Sequence, residues 1–252
     1  MNSPNIVVPL AGTDTRFENL GNHKVLTNVF GKTVLEWIAG ARPYDLSKAI
    51  FVLLREHDRL YSIRSRLNAI FNKEVRVVWA EQRTDGAPQS VLLASSLIDS
   101  DAPLLIDLID QFLDCRGLGR FLASTDADGV IPTFESLYYN RGYMELDAAG
   151  TQVVRVSEKD SVPISTHSTA CISYFRHGGD FVRASRRMIH EKHVAANGAY
   201  LVSMAYNELI AEKKLIRTCP CDLIATLGSL EGLRCFEQLV RPVTYTPDDL
   251  VA

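Results

Sequence analysis

Cysteine is scarce. The five residues, Cys115, Cys171, Cys219, Cys221 and Cys235, are odd in number and irregularly spaced along 252 positions. That pattern does not describe a disulfide framework, and the Cys219-Pro-Cys221 run lacks the second pair of ligands that a structural zinc needs. Free thiols in a reducing compartment are expected. No stretch approaches the roughly 20 consecutive apolar residues of a membrane span. The opening MNSPNIVVPL has no basic segment followed by a long apolar run, so no signal peptide and a cytoplasmic location are expected. Basic charge is not in excess: the formal net charge is −3, which argues against a nucleic-acid backbone as the partner. There is no Pro/Ser-rich linker, internal repeat or low-complexity tract to divide the chain. The composition, 46% hydrophobic and 23% charged, is that of a globular protein able to bury a sizeable core.

Over the first half, short apolar runs alternate with amphipathic stretches. NIVVPLAG (5–12), KAIFVLL (48–54), VRVVWA (75–80) and APLLIDLID (102–110) read as buried strands. Helices are expected at 32–41, through EHDRLYSIRSRLNAIFN with Leu60, Ile63, Leu67 and Ile70 on one face, and after Gly86 and Pro88. This spacing predicts βαβ units and a parallel sheet, in which ligands bind beyond the carboxyl ends of the strands. Those ends carry AGTDTR, EQRTDGAP and DLIDQ. After residue 130 the pattern changes to strands with a turn at DAAG, followed by helices over DFVRASRRMIHEK and AYLVSMAYNELIAEK. Two short strands, LIRTC and DLIATLG, precede a last helix with Ser229 as its N-cap. One mixed α/β domain is expected over 1–252, with a nucleotide-type half (5–128) and a second half (129–240) lining the other side of a cleft.

Taken in order, VVPLAGTDTRFENLGNHKVL, EQRTDGAPQSVLLA, PLLIDLIDQFLD, RGYMELDAAGTQVVRVSEK and DLIATLGSLEGL resemble segments of the sugar-phosphate nucleotidylyltransferases. That family joins a nucleoside triphosphate to a sugar 1-phosphate and releases pyrophosphate. The resemblance runs from about residue 5 to about 238 and implies a GT-A-like mixed sheet sandwiched by helices, with Mg²⁺ as cofactor. In the first segment Gly12, Thr15, Arg16 and Lys24 match the phosphate loop. The resemblance places Leu10, Ala11, Gly12, Thr13, Asp14 and Thr15 around the triphosphate, with Arg16 and Lys24 neutralising the departing charge. Gln82 and Gly86 match the loop against which the base lies. Asp110 matches the metal-binding aspartate, followed by Gln111. Gly142 matches a backbone contact to the sugar, Glu158 an acceptor for its hydroxyls, and Lys159 a cation for its phosphate. By the same resemblance the product serves nucleotide-sugar and surface-polysaccharide synthesis, and a homo-oligomer is possible.

The sequence departs from the family pattern at several of these places. Asp14 stands where a second glycine is usual and His23 where a proline is. Leu108 and Ile109 replace small polar residues, and Thr226 stands where an aspartate or asparagine completes the metal site. Asp222 lies a few residues earlier, expected to be too far. Asp14 is therefore a candidate second metal ligand, since a bare carboxylate facing a triphosphate would repel it. Each residue also has a plainer reading: Arg16 and Lys24 as surface cations, Asp110 as a strand-end carboxylate, and His190 with His193 as a solvated helix face. Asn197 and Gly198 are expected in a turn, and the helix after them is assigned to core. Two further functions stay open: a catalytically weak or regulatory relative that binds nucleotide or sugar phosphate, and a GT-A glycosyltransferase, which the absence of a clean D-x-D disfavours.

Overall fold

The computed structural model describes residues 3–12, 15–19 and 21–241. Strand β1 (Asn5–Leu10) leads to the short helix α1 (Thr15–Glu18), a 3₁₀ turn at Lys24–Leu26, the two-residue hairpin strands β2 (Asn28–Val29) and β3 (Lys32–Thr33), and helix α2 (Val34–Ala41). Strand β4 (Ile50–Leu54), helices α3 (Arg55–Tyr61) and α4 (Ile63–Phe71), strand β5 (Arg76–Ala80), helices α5 (Ala87–Leu92) and α6 (Ser95–Ile98) and strand β6 (Leu104–Asp107) follow. Then come β7 (Gln111–Asp114), α7 (Leu118–Ser124), β8 (Gly129–Glu135), β9 (Gly142–Leu146), β10 (Val153–Glu158), β11 (His167–Thr169), β12 (Ile172–Phe175) and α8 (Gly178–His190). Helix α9 (Ala205–Ala211), β13 (Ile216–Pro220), β14 (Asp222–Thr226) and α10 (Leu230–Val240) close the described chain.

Ten strands form one sheet in the order β10-β9-β11-β8-β12-β6-β1-β4-β5, with β13 added beside β8. β6, β1, β4 and β5 are mutually parallel. β12 turns back against β6, β8 against β12, β11 against β8, and β9 against β11. Around the sheet, β1, β4, β5, β6, β8, β9 and β13 run one way and only β10, β11 and β12 run the other, so the sheet is mixed and mostly parallel.

The strand pattern follows from burial. All five residues of β4, IFVLL, are buried, as expected of an inner parallel strand covered on both faces. Alternate residues enter different cores: Ile6, Val8, Leu10, Phe51 and Leu53 pack on one side, while Val7, Ile50, Val52, Leu54 and Ile106 pack on the other. Helix α2 is set by a reciprocal cap, in which Thr33 Oγ1 accepts from Glu36 N–H and Glu36 accepts from Thr33 N–H.

Several expected elements differ: the helix after Gly86 is two, α5 and α6, and that expected over 199–213 is the shorter α9 behind a 3₁₀ turn at Val202–Met204. The single helix over 56–72 is two, because Ser62 adopts a left-handed conformation (φ 53°) with its N–H on Asp58 O, and the Asp58 carboxylate caps Arg64 N–H. Leu60 is consequently exposed while Ile63 and Leu67 are fully buried. The strand at 102–110 ends at Asp107, and a separate strand, β7, starts at Gln111 and pairs with β14 instead of the main sheet. The hairpin of β2 with β3 and helix α7 were not expected from the sequence. Ser229 caps α10 as expected, its hydroxyl accepting from Gly232 N–H. Asn197 and Gly198 form the expected turn, with Gly198 at φ 81°.

Candidate active-site cleft

The break between β6 and β7 is made by a buried ion pair. Arg42, at the end of α2, grips Asp107 with two guanidinium nitrogens, at 2.7 and 3.2 Å, and donates a further bond to Gln111 O at 3.1 Å. Both side chains are fully buried. Tyr44 Oη donates to the same carboxylate at 2.8 Å, and the Ile109 N–H donates to its other oxygen at 2.8 Å. Burial tends to strip the charge from Arg42, but Asp107 outweighs it and holds the guanidinium's pKa above the ordinary value. Burial, with Asp107 beside it, pushes the Tyr44 hydroxyl well up. The bond from Ile109 holds a β-branched residue in the left-handed region, at φ 45°, and this interrupts the strand so that Asp110 lies beyond the carboxyl end of β6. Sequence reasoning missed this trio. Its one signal was an acid, Asp107, inside an otherwise apolar strand.

Asp110 is fixed from behind as well. Its carbonyl receives the N–H groups of Leu227 (2.7 Å) and Gly228 (3.0 Å), and a Cβ on Gly228 would stand only 3.2 Å from its carboxylate. The loop after β14 is thereby closed onto Asp110, and Thr226 lies opposite Gln111 in the β7–β14 ladder. Asp222 lies opposite Asp114 at the far end of that ladder and lines a different surface hollow, with Arg116 and Arg120.

Lys24, in the 3₁₀ turn, forms an ion pair with the Asp110 carboxylate. Residues 24 and 110 are thus brought together across 86 positions of sequence. The pair joins two hollows. One, of about 120 Å³, is bounded by Leu10, Gly12, Phe17, Glu18, Asn22, His23 and Lys24. The other is a cleft of about 390 Å³ in which Asp110, Gly142, Glu158 and Lys159 meet Arg141, Ser203 and Thr226. His23 is buried beside Lys24, with its ring packed edge-on to His57 at 5.4 Å.

On the cleft's second wall, β9 and β10 pair Gly142 opposite Glu158. Any Cβ at 142 would collide with the Glu158 carboxylate, so glycine is required by packing there. Glu158 is buried and accepts a hydrogen bond from Ser203 Oγ, and burial raises its pKa. The sequence assigned the Ser203 region to core. Ser203 is indeed buried, but its hydroxyl carries the cleft's buried acid. Lys159 adopts a left-handed conformation (φ 65°), with Nζ on Asn140 O at 3.0 Å. Arg141 reaches across to Thr226 Oγ1 at 3.2 Å, with its guanidinium over the rings of Phe134 (5.4 Å) and Tyr138 (5.7 Å).

Of the other candidates, Ala11 is buried behind Gly12. Thr13 and Asp14 lie outside the described residues, as do the side chains of Thr15 and Arg16. Gln82 is exposed, and neither it nor Gly86 lines either hollow. Gly86 (φ 133°) forms an isolated bridge to Tyr200, whose carbonyl fills the space a Cβ would need. His190 contacts Glu191, and His193 contacts Glu208 beyond the end of α8, so the two histidines do not converge.

Among the described residues no three His, Cys, Asp or Glu side chains cluster as a metal site. Asp110 alone fits a magnesium ion in the way that ion is commonly held, by one or two carboxylates with phosphates supplying further oxygens. Thr226 does not fit as a second ligand, because its hydroxyl already faces a guanidinium.

The fold is that of the sugar nucleotidyltransferases. The structure superposes on the nucleoside-diphosphate-sugar pyrophosphorylase from Vibrio cholerae RC9 with a TM-score of 0.74 at 20% identity, covering 92% of this chain and 99% of that one. It also matches a UDP-glucose pyrophosphorylase in complex with UDP-glucose (TM-score 0.71, 14% identity, 94% and 97% covered) and HddC from Yersinia pseudotuberculosis (TM-score 0.65, 12% identity, 93% and 100% covered). No family model and no curated protein matches the sequence. No helix among the described residues is long and apolar enough to cross a membrane.

Proposed function

We propose that this protein transfers a nucleoside monophosphate from a nucleoside triphosphate to a sugar 1-phosphate or similar phosphorylated acceptor. The observation that carries this reading is the Lys24–Asp110 ion pair, set between a hollow at the end of β1 and a cleft holding Glu158 and Lys159. The triphosphate takes the β1 side, near Leu10, Gly12 and Lys24, and the further residues proposed to hold it are Thr13, Asp14, Thr15 and Arg16, with Gln82 and Gly86 for the base. The acceptor takes the β9–β10 side, where Lys159 holds its phosphate and Glu158 its hydroxyls.

Lys24 exchanges its carboxylate partner for phosphate when the triphosphate arrives, which frees Asp110 as a magnesium ligand. Magnesium bound there supplies charge neutralisation to the phosphates. Asp14 is the remaining candidate to share that ion. The acceptor's phosphate oxygen attacks the α-phosphorus. The new P–O bond forms as the bond to the bridging oxygen breaks, and the electron pair leaves on pyrophosphate. No covalent enzyme intermediate is needed, so the chain's contribution is positioning and charge.

The test is pyrophosphate release by the purified protein with Mg²⁺, the common nucleoside triphosphates and a panel of sugar 1-phosphates. Turnover that vanishes in Lys24→Met and Asp110→Asn supports the reading. Nucleotide binding without turnover across the panel favours a regulatory binding protein. The cellular role proposed is nucleotide-sugar supply for surface polysaccharide.

A further inference from the structure

Arg141 is a cation in the cleft without an acidic partner among the described residues. Its guanidinium is placed by three contacts: the faces of Phe134 and Tyr138 and the Thr226 hydroxyl. Its Nε–H is buried with no hydrogen-bond acceptor, an arrangement that costs free energy unless something fills it. Its neighbour across the ladder is Lys159, whose N–H bonds the Arg141 carbonyl at 3.0 Å and whose ammonium donates to the Asn140 carbonyl at 3.0 Å. The two acids nearby are otherwise engaged, Asp110 by Lys24 and Glu158 by Ser203. With Lys24 counted, three cations, Lys24, Arg141 and Lys159, face two carboxylates, Asp110 and Glu158, an excess of one in a chain whose net charge is −3. The contact to Thr226 ties the guanidinium to the loop that closes onto Asp110, since Thr226 lies opposite Gln111 and the next two residues bond the Asp110 carbonyl.

We propose that Arg141 is a catalytic residue that binds the phosphate oxygens at the junction between the two substrates, supplying charge from the protein at the Thr226 end of the cleft, where no carboxylate holds a second metal. The proposal rests on the nucleotidyl-transfer reading above and adds a residue and a ligand class to it: a phosphate bridging the Asp110 and Lys159 sides, taken by a planar two-pronged donor. The guanidinium touches the α-phosphate oxygens as their negative charge redistributes during transfer. That is a stronger contact in the transition state than in the ground state, so its loss falls on kcat.

Arg141→Met keeps an apolar stem against Phe134 and removes the fork. It is expected to lower kcat for pyrophosphate release by about 10²- to 10³-fold, a larger factor than any accompanying rise in the KM for the nucleoside triphosphate. A parent-like kcat, or a loss confined to KM, overturns the proposal. Should Arg141→Met fail to fold, Arg141→Lys carries the same measurement: a loss of about tenfold or more is expected, and a parent-like kcat overturns it. A second arm uses inorganic pyrophosphate as the probe, titrated into parent and variant by calorimetry, and needs no turnover. Binding by the parent that weakens at least about tenfold in the variant supports the anion site even if the panel shows no reaction, in which case the transferase reading alone fails. Equal binding by both proteins, or none by the parent, overturns the proposal.

Discussion

Asp107→Asn tests whether the buried pair under Asp110 is what aims the cleft. The carboxylate accepts four donors, two from Arg42, one from Tyr44 and one from Ile109 N–H, and both Arg42 and Asp107 are fully buried. The amide leaves the guanidinium without a compensating charge, in a place water cannot reach. Removing one partner from such a pair costs about 3–5 kcal/mol. The Arg42→Met/Asp107→Leu double variant removes both charges and is expected to regain most of that loss, because no charge is left buried. Urea unfolding measures both, as a shift in midpoint with the slope preserved. Pyrophosphate release separates stability from position: the double variant recovers stability but not turnover, since Ile109 N–H has lost the acceptor that holds φ at 45°. An Asp107→Asn protein within about 1 kcal/mol of the parent would refute the reasoning. So would a double variant with full turnover.

Further expectations follow from the same geometry. Gly142→Ala drives a methyl into the Glu158 carboxylate, and the strain is expected to destabilise by about 1–3 kcal/mol in urea unfolding and to weaken acceptor binding. Lys24→Met is expected to change stability by no more than about 1 kcal/mol, because its pair with Asp110 is partly exposed, while abolishing pyrophosphate release. Burial raises the Glu158 pKa above its unfolded value, so the fold favours the protonated acid. That contribution is fully present below the unfolded pKa and is lost as pH rises through the raised one. Glu158→Gln is therefore expected to flatten this fall in thermal midpoint between acid and neutral pH, and an unchanged pH profile would contradict the assignment.

The parallel half of the fold was legible because its inner strands are buried on both faces. IFVLL and NIVVPL can be little else than strands of such a sheet. Short motifs singled out Lys24, Asp110, Glu158 and Lys159, and the fold brings Asp110, Glu158 and Lys159 to one cleft with Lys24 paired to Asp110. What stayed hidden has a common cause. The kink at Ile109 depends on an acid bonded to a residue 65 positions away, and the split at Ser62 on one left-handed residue, neither of which periodicity records. Ser203 and Arg141 line the cleft only because tertiary packing brings them there: Ser203 to Glu158 across 45 residues, Arg141 to Thr226 across 85. Local sequence thus determined which charged and polar residues stand at the strand ends. Tertiary structure alone decided which are neighbours, because charge pairing and burial act through space and not along the chain.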